Sequence, residues 1–83
     1  MKALDLLMNA TKNLDDNKKT VELLQGVIHE LKMMNNTLFD LLAVRVASLV
    51  ESIKSGNIKK ERLLEEILDI ANEVKAKSMR SKK

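Results

Sequence analysis

The stretch Leu38-Phe39-Asp40-Leu41-Leu42-Ala43-Val44-Arg45-Val46-Ala47-Ser48-Leu49-Val50 decides the fold, because it is the one part of the chain that is apolar almost all round a helix. At 100° per residue, Leu38, Leu42, Val46 and Leu49 make one apolar face. Phe39, Ala43 and Val50 lie beside that face, and Val44 and Ala47 fall further round. Only Asp40, Arg45 and Ser48 interrupt the pattern. Such a helix is either a membrane span or the centre of a bundle. Thirteen residues holding an Asp and an Arg fall short of the roughly 20 apolar residues that spanning needs. The stretch therefore reads as a buried central helix, with no membrane as partner.

Working outward toward the N-terminus, Val21, Leu24, Ile28 and Leu31 keep the phase of Leu38, Leu42, Leu49 and Ile53, at three- and four-residue spacing. Val27, Met34 and Leu41 run along the adjoining edge. The phase crosses Asn35 unchanged and neither Gly nor Pro stands at the join, so the periodicity predicts one helix over residues 18–55, about 55 Å long. A competing reading breaks the chain at Asn35-Asn36 and restarts it at Thr37, whose spacing to Asp40 resembles a capping box. That reading gives a four-helix bundle of short helices. Continuous phase favours the unbroken form.

On either side stand shorter helices. Ala3, Leu4, Leu6, Leu7, Met8 and Ala10 predict an amphipathic helix from residue 2 to about 13. The polar cluster at residues 13–17 then makes a turn and supplies N-cap candidates. Ser55-Gly56-Asn57 ends the long helix, since Gly and Asn tolerate the left-handed conformation that follows a helix C-terminus. A third helix over 58–77 carries Leu63, Ile67, Ile70 and Val74 on its seam, with Arg62, Glu66, Asp69 and Glu73 on the other side. The fold class is thus all-α: an antiparallel bundle with a short first helix, a long second and a third, forming a single domain over 1–77. Residues 78–83 have no apolar period and are expected to form a flexible basic tail.

Composition sharpens the functional classes. The 83 residues contain no Cys, so neither a disulfide nor a thiolate metal site reinforces a core that is thin for its length. One aromatic residue removes the usual base-stacking platforms. The net charge of +3 is unevenly spread: residues 1–74 carry ten Lys or Arg against twelve Asp or Glu, whereas 75–83 carry five cations and no acid. Asp5 interrupts the first apolar run and no longer apolar stretch follows it there, which leaves a cytoplasmic location as the expectation.

A thin core and a long helix overhung by shorter neighbours together predict a homodimer in which the long helices pack on each other. The expected interface is Leu38, Leu42, Ala43, Arg45, Ala47 and Leu49, with Asn35 as the polar residue that fixes register. His29 is the only histidine and has no second ligand at metal spacing. Glu65, Glu66, Asp69 and Glu73 read as a solvated face rather than as an acid–base pair. No phosphate loop or nucleophile motif is present, and no cofactor is expected.

Arg45 falls on the edge of the apolar face, where its guanidinium snorkels outward, pairs with a carboxylate across an interface or points into a cavity. The pentad Leu41-Leu42-Ala43-Val44-Arg45, late in a long helix of a small helical dimer, resembles the helical chorismate mutases. That resemblance implies a substrate-carboxylate role for Arg45. The family's two further cations, counted from Arg45, fall on Ile28 and Gly56, and the chain ends without the family's last helix. The expectation is accordingly not an enzyme. It is a helical protein–protein interaction or assembly module, acting as a small regulator or adaptor and self-associating through the central helix. The alternative is a small nucleic-acid-binding regulator using Lys75, Lys77, Arg80, Lys82 and Lys83 together with a helical dimer face.

Overall fold

In a computed structural model, which describes residues 1–80, two adjacent asparagines split the helix that the periodicity reads as continuous. Asn35 takes φ 51°, the left-handed region that Asn tolerates better than other side chains do. The N–H groups of Met34 and Asn35 close the last turn onto the carbonyls of Leu31 and Lys32 at 3.2 and 3.3 Å. Asn36 is then extended, and its side-chain oxygen accepts the Leu38 N–H at 2.8 Å. One Asn ends a helix and the next caps the following one. Thr37 is the first helical residue rather than the cap, so the anticipated box with Asp40 is not what starts this helix.

The result is four helices: α1 (Lys2–Thr11), α2 (Asn17–Met33), α3 (Thr37–Ser55) and α4 (Lys60–Arg80). This corrects the three-helix reading, and the molecular dimensions show why the long helix has no room. A continuous helix over 18–55 would run about 55 Å, whereas the longest extent of the molecule is 39 Å. Chain reversal at Asn35 folds α3 back along α2. Contacts then run in a ring from α1 to α2, α2 to α3, α3 to α4 and α4 to α1, while the diagonal pairs stay apart. No strand occurs among the described residues.

The remaining boundaries follow local chemistry. Asp16 caps α2 by accepting the Lys19 N–H at 3.0 Å. Gly56, at φ 71°, ends α3, with its own N–H on the Ile53 carbonyl and the Asn57 N–H on that of Ser52 at 3.1 and 3.0 Å. α4 runs on to Arg80, past the point where its apolar seam ends at Val74; the last residues of the expected tail, 81–83, lie outside the described part.

The core draws on every helix: Leu7 from α1, Leu24, Val27 and Leu31 from α2, Val46 from α3, and Ile67, Ile70 and Val74 from α4 are fully enclosed. Gly26 admits α1 closely, since a Cβ there would stand 3.2 Å from the Leu6 side chain. Thr20 is the one buried polar residue among those described. Its hydroxyl lies 2.6 Å from the Asn13 carbonyl and 2.9 Å from that of Asp16, which ties the α1–α2 turn to the core. Periodicity alone gave no hint of it, because a Thr in a helix scores as polar.

Candidate functional site

Closing the bundle redistributes the residues expected at a dimer interface. Leu42, Ala43 and Leu49 point into the core and are unavailable to a second chain. Asn35 is exposed at the α2–α3 connection, not seated on a seam. Leu38, Ala47 and the head of Arg45 remain on the outside of α3.

Beside the exposed Thr37 and Asp40, the first two turns of α3 show three large apolar side chains to solvent. Leu38 is 48% exposed, Leu41 61% and Val44 65%. Met33 and Met34, at the end of α2, add exposed thioether side chains beside the α2–α3 connection. Single exposed apolar residues are ordinary, but a run of this size on one helix face is the usual mark of a docking surface. Sequence reasoning missed Leu41 and Val44 because it assigned that whole stretch to the interior. The signal was nonetheless present, since an all-round apolar helix in a closed bundle has one side with nothing to cover it.

Next to this face α3 and α4 meet, and they are the least closely packed of the neighbouring pairs. Polar groups bridge the gap. One Nη of Arg45 donates to Asp69 Oδ2 at 2.9 Å and reaches Glu66 Oε1 at 3.4 Å. Arg62, one turn before Glu66 on α4, holds its other carboxylate oxygen at 3.1 Å. The carboxylates read from sequence as a solvated face thus contribute two members to an inter-helix network, and Arg45 finds its carboxylates within its own chain. The hydrogen bond to Asp69 raises the Arg45 pKa above the ordinary guanidinium value; burial opposes that rise, and the charges of Asp69 and Glu66 add to it.

Linkage fixes the pH behaviour of this contact. A raised pKa in the folded state means that Arg45 contributes stability below its unfolded pKa, and that the contribution is lost only as pH rises through the higher folded value. That window is strongly alkaline, so salt rather than pH is the practical probe. The Arg45 side chain is 40% exposed, which places it among screened surface pairs. Arg45→Ala is expected to cost about 1 kcal/mol in urea unfolding at low salt. The difference should shrink toward zero in 1 M salt, where the screening length is about 3 Å. A salt-independent cost of about 3 kcal/mol or more would instead mark a desolvated pair.

Between α3 and α4, beside this network, lies an open cleft of about 340 Å³ lined by Arg45, Ser48, Leu49, Ser52, Asn57, Ile58, Arg62 and Glu66. A second cleft of about 350 Å³ between α1 and α4 is walled by Leu4, Met8, Leu68 and Ala71.

Of the basic residues assigned to nucleic acid, the structure describes the side-chain surroundings of Lys75 and Lys77. Lys75 is exposed on α4. Lys77 is bonded to Glu73 at 3.1 Å, which occupies its charge locally. Arg80 is the last residue of α4, and Lys82 and Lys83 lie outside the described residues. His29 is exposed on α2. Among the described residues no three His, Asp or Glu side chains converge as metal ligands would, and no helix is long and apolar enough to cross a membrane. Comparison of the chain with protein-family models, with curated proteins and with solved structures gives no match.

Proposed function

We propose that this bundle is a protein–protein interaction module that docks through the outer face of α3, and that its first partner is a second copy of itself. The single observation that carries this reading is the exposed apolar run Leu38, Leu41 and Val44 on an otherwise closed bundle. Charge pattern supports a second copy as occupant. Asp40, Ala47 and Lys54 are seven residues apart and share one flank of α3, all three exposed. Neither Asp40 nor Lys54 has an ion-pair partner among the described residues.

Two α3 helices packed antiparallel about Ala47 bring each Asp40 opposite the other copy's Lys54. The small Ala47 side chains at the two-fold axis let the backbones approach. Leu41 and Val44 then lie along the seam, and Glu51 closes the apolar run at its C-terminal end. This keeps self-association through the central helix, but by its outer face and between bundles that are already complete. Enzymatic chemistry plays no part in the proposal.

Light scattering at micromolar concentration tests it. The wild-type chain should have twice the monomer mass, and Val44→Asp should be monomeric with unchanged helicity, since Val44 is 65% exposed and lies outside the core. A wild-type monomer at all accessible concentrations would remove the proposal.

A further inference from the structure

We propose that the cleft between α3 and α4 is a binding site for a small oxyanion of the phosphomonoester class. The lining is rich in donors. Arg45, Ser48 and Ser52 project from one face of α3 at spacings of three and four residues, and Asn57 and Arg62 close the other wall from the α3–α4 turn and the first turn of α4. Leu49 and Ile58 add apolar lining between them. Glu66 is the only acid in the lining, and both guanidinium groups already hold it, at 3.4 and 3.1 Å. Asp69, beside the cleft, takes the shorter Arg45 bond at 2.9 Å, so the two cations are balanced by two acids and the draw on an anion comes from open N–H and O–H donors rather than from net charge.

Donor capacity is also unused. Among the described residues Arg62 makes one ion pair, through a single terminal nitrogen, so most of its fork of N–H groups is open. Among the described residues the hydroxyls of Ser48 and Ser52 and the Asn57 amide donate to no protein acceptor, although mid-helix serines commonly return their proton to the preceding turn. Paired N–H groups of arginine match the spacing of two oxygens on phosphate or carboxylate, and hydroxyl and amide donors complete a tetrahedral anion better than a planar one. A cleft of about 340 Å³ holds a phosphate with a short organic substituent.

The phosphoryl group has two sources to separate, a free phosphorylated small molecule and a phosphoserine on a partner protein. Titration followed by backbone amide NMR, with inorganic phosphate, glycerol phosphate and a phosphoserine peptide in separate arms, tells them apart. Saturable shifts centred on Ser48, Ser52, Asn57 and Arg62 are expected, with Kd of about 1 mM or below for at least one probe. Arg62→Gln should weaken that binding about tenfold, and Ser52→Ala should weaken it less; both positions are outside the core, so the fold is retained.

Because Ser48 borders the α3 docking face, each titration is repeated on Val44→Asp. Binding retained in that variant keeps the site independent of self-association, whether or not the dimer proposal survives. Non-saturating shifts spread over surface lysines, or equal affinity in Arg62→Gln, would overturn the site.

Discussion

Ile67→Ala is expected to lower the unfolding free energy by about 2 to 5 kcal/mol, the range for removing three carbons from an enclosed aliphatic side chain and leaving part of the space empty. Ile67 is fully buried on α4, in a single core cluster to which all four helices contribute. A chain of 83 residues has a total stability of about 4 to 12 kcal/mol, so the loss is a large share of the whole. At about 4 to 8 °C per kcal/mol, the melting temperature should fall by about 10 °C or more. Circular dichroism at 222 nm reads this directly. A fall of less than about 3 °C would mean that the core around Ile67 is loosely packed or that Ile67 is not enclosed.

Removing both asparagines from the α2–α3 connection should produce the other large effect. In Asn35→Ala/Asn36→Ala, position 35 becomes a side chain that resists the left-handed conformation, at about 1 to 2 kcal/mol. Position 36 loses its cap, at about 1 kcal/mol. Both changes favour helix at the join, where the apolar phase is already continuous. The expected product is a single helix through residues 17–55. Its α1 and α4 neighbours would each cover one half, and two chains would exchange halves to rebuild both cores.

Spin labels at Lys18 and Lys54 distinguish the forms, because both residues line one cleft between α2 and α3 in the bundle. In a continuous helix they stand about 54 Å apart. With labelled chains diluted into unlabelled ones, a short distance is expected for the parent and a long one for the double variant. A short distance and unchanged stability in the variant would show that the reversal does not depend on these two residues.

Helix content, the Gly56 terminus and the seams of α1 and α4 were legible in the sequence because each rests on a local rule. The reversal at Asn35 was not, because two asparagines did the work usually given to Gly or Pro while the apolar periodicity passed through them unbroken. Period 3.6 reports which side of a helix is apolar, and it is blind to whether the helix continues. The same blindness placed Leu42, Ala43 and Leu49 at an interface and put Leu41 and Val44 inside. Once α3 folds back on α2, the first three are enclosed and the last two are turned outward. Arg45 was legible as a residue in need of a carboxylate, but not as one supplied from its own chain, since that depends on α4 lying antiparallel to α3 with Asp69 at the matching height. Thr20 and the α3–α4 cleft depend on tertiary approach and left no pattern in the chain.

The central claim is that two copies meet through the outer face of α3, antiparallel about Ala47. A charge-swap cycle read by sedimentation equilibrium tests it most directly. Asp40→Lys and Lys54→Asp, taken singly, should each weaken the dimer, because like charges then face each other twice across the two-fold axis. The double variant Asp40→Lys/Lys54→Asp should recover wild-type affinity to within about threefold, since both pairs are restored with their signs exchanged. Single variants that dimerise as wild type does, or a double variant no tighter than the weaker single one, would contradict the antiparallel α3 contact.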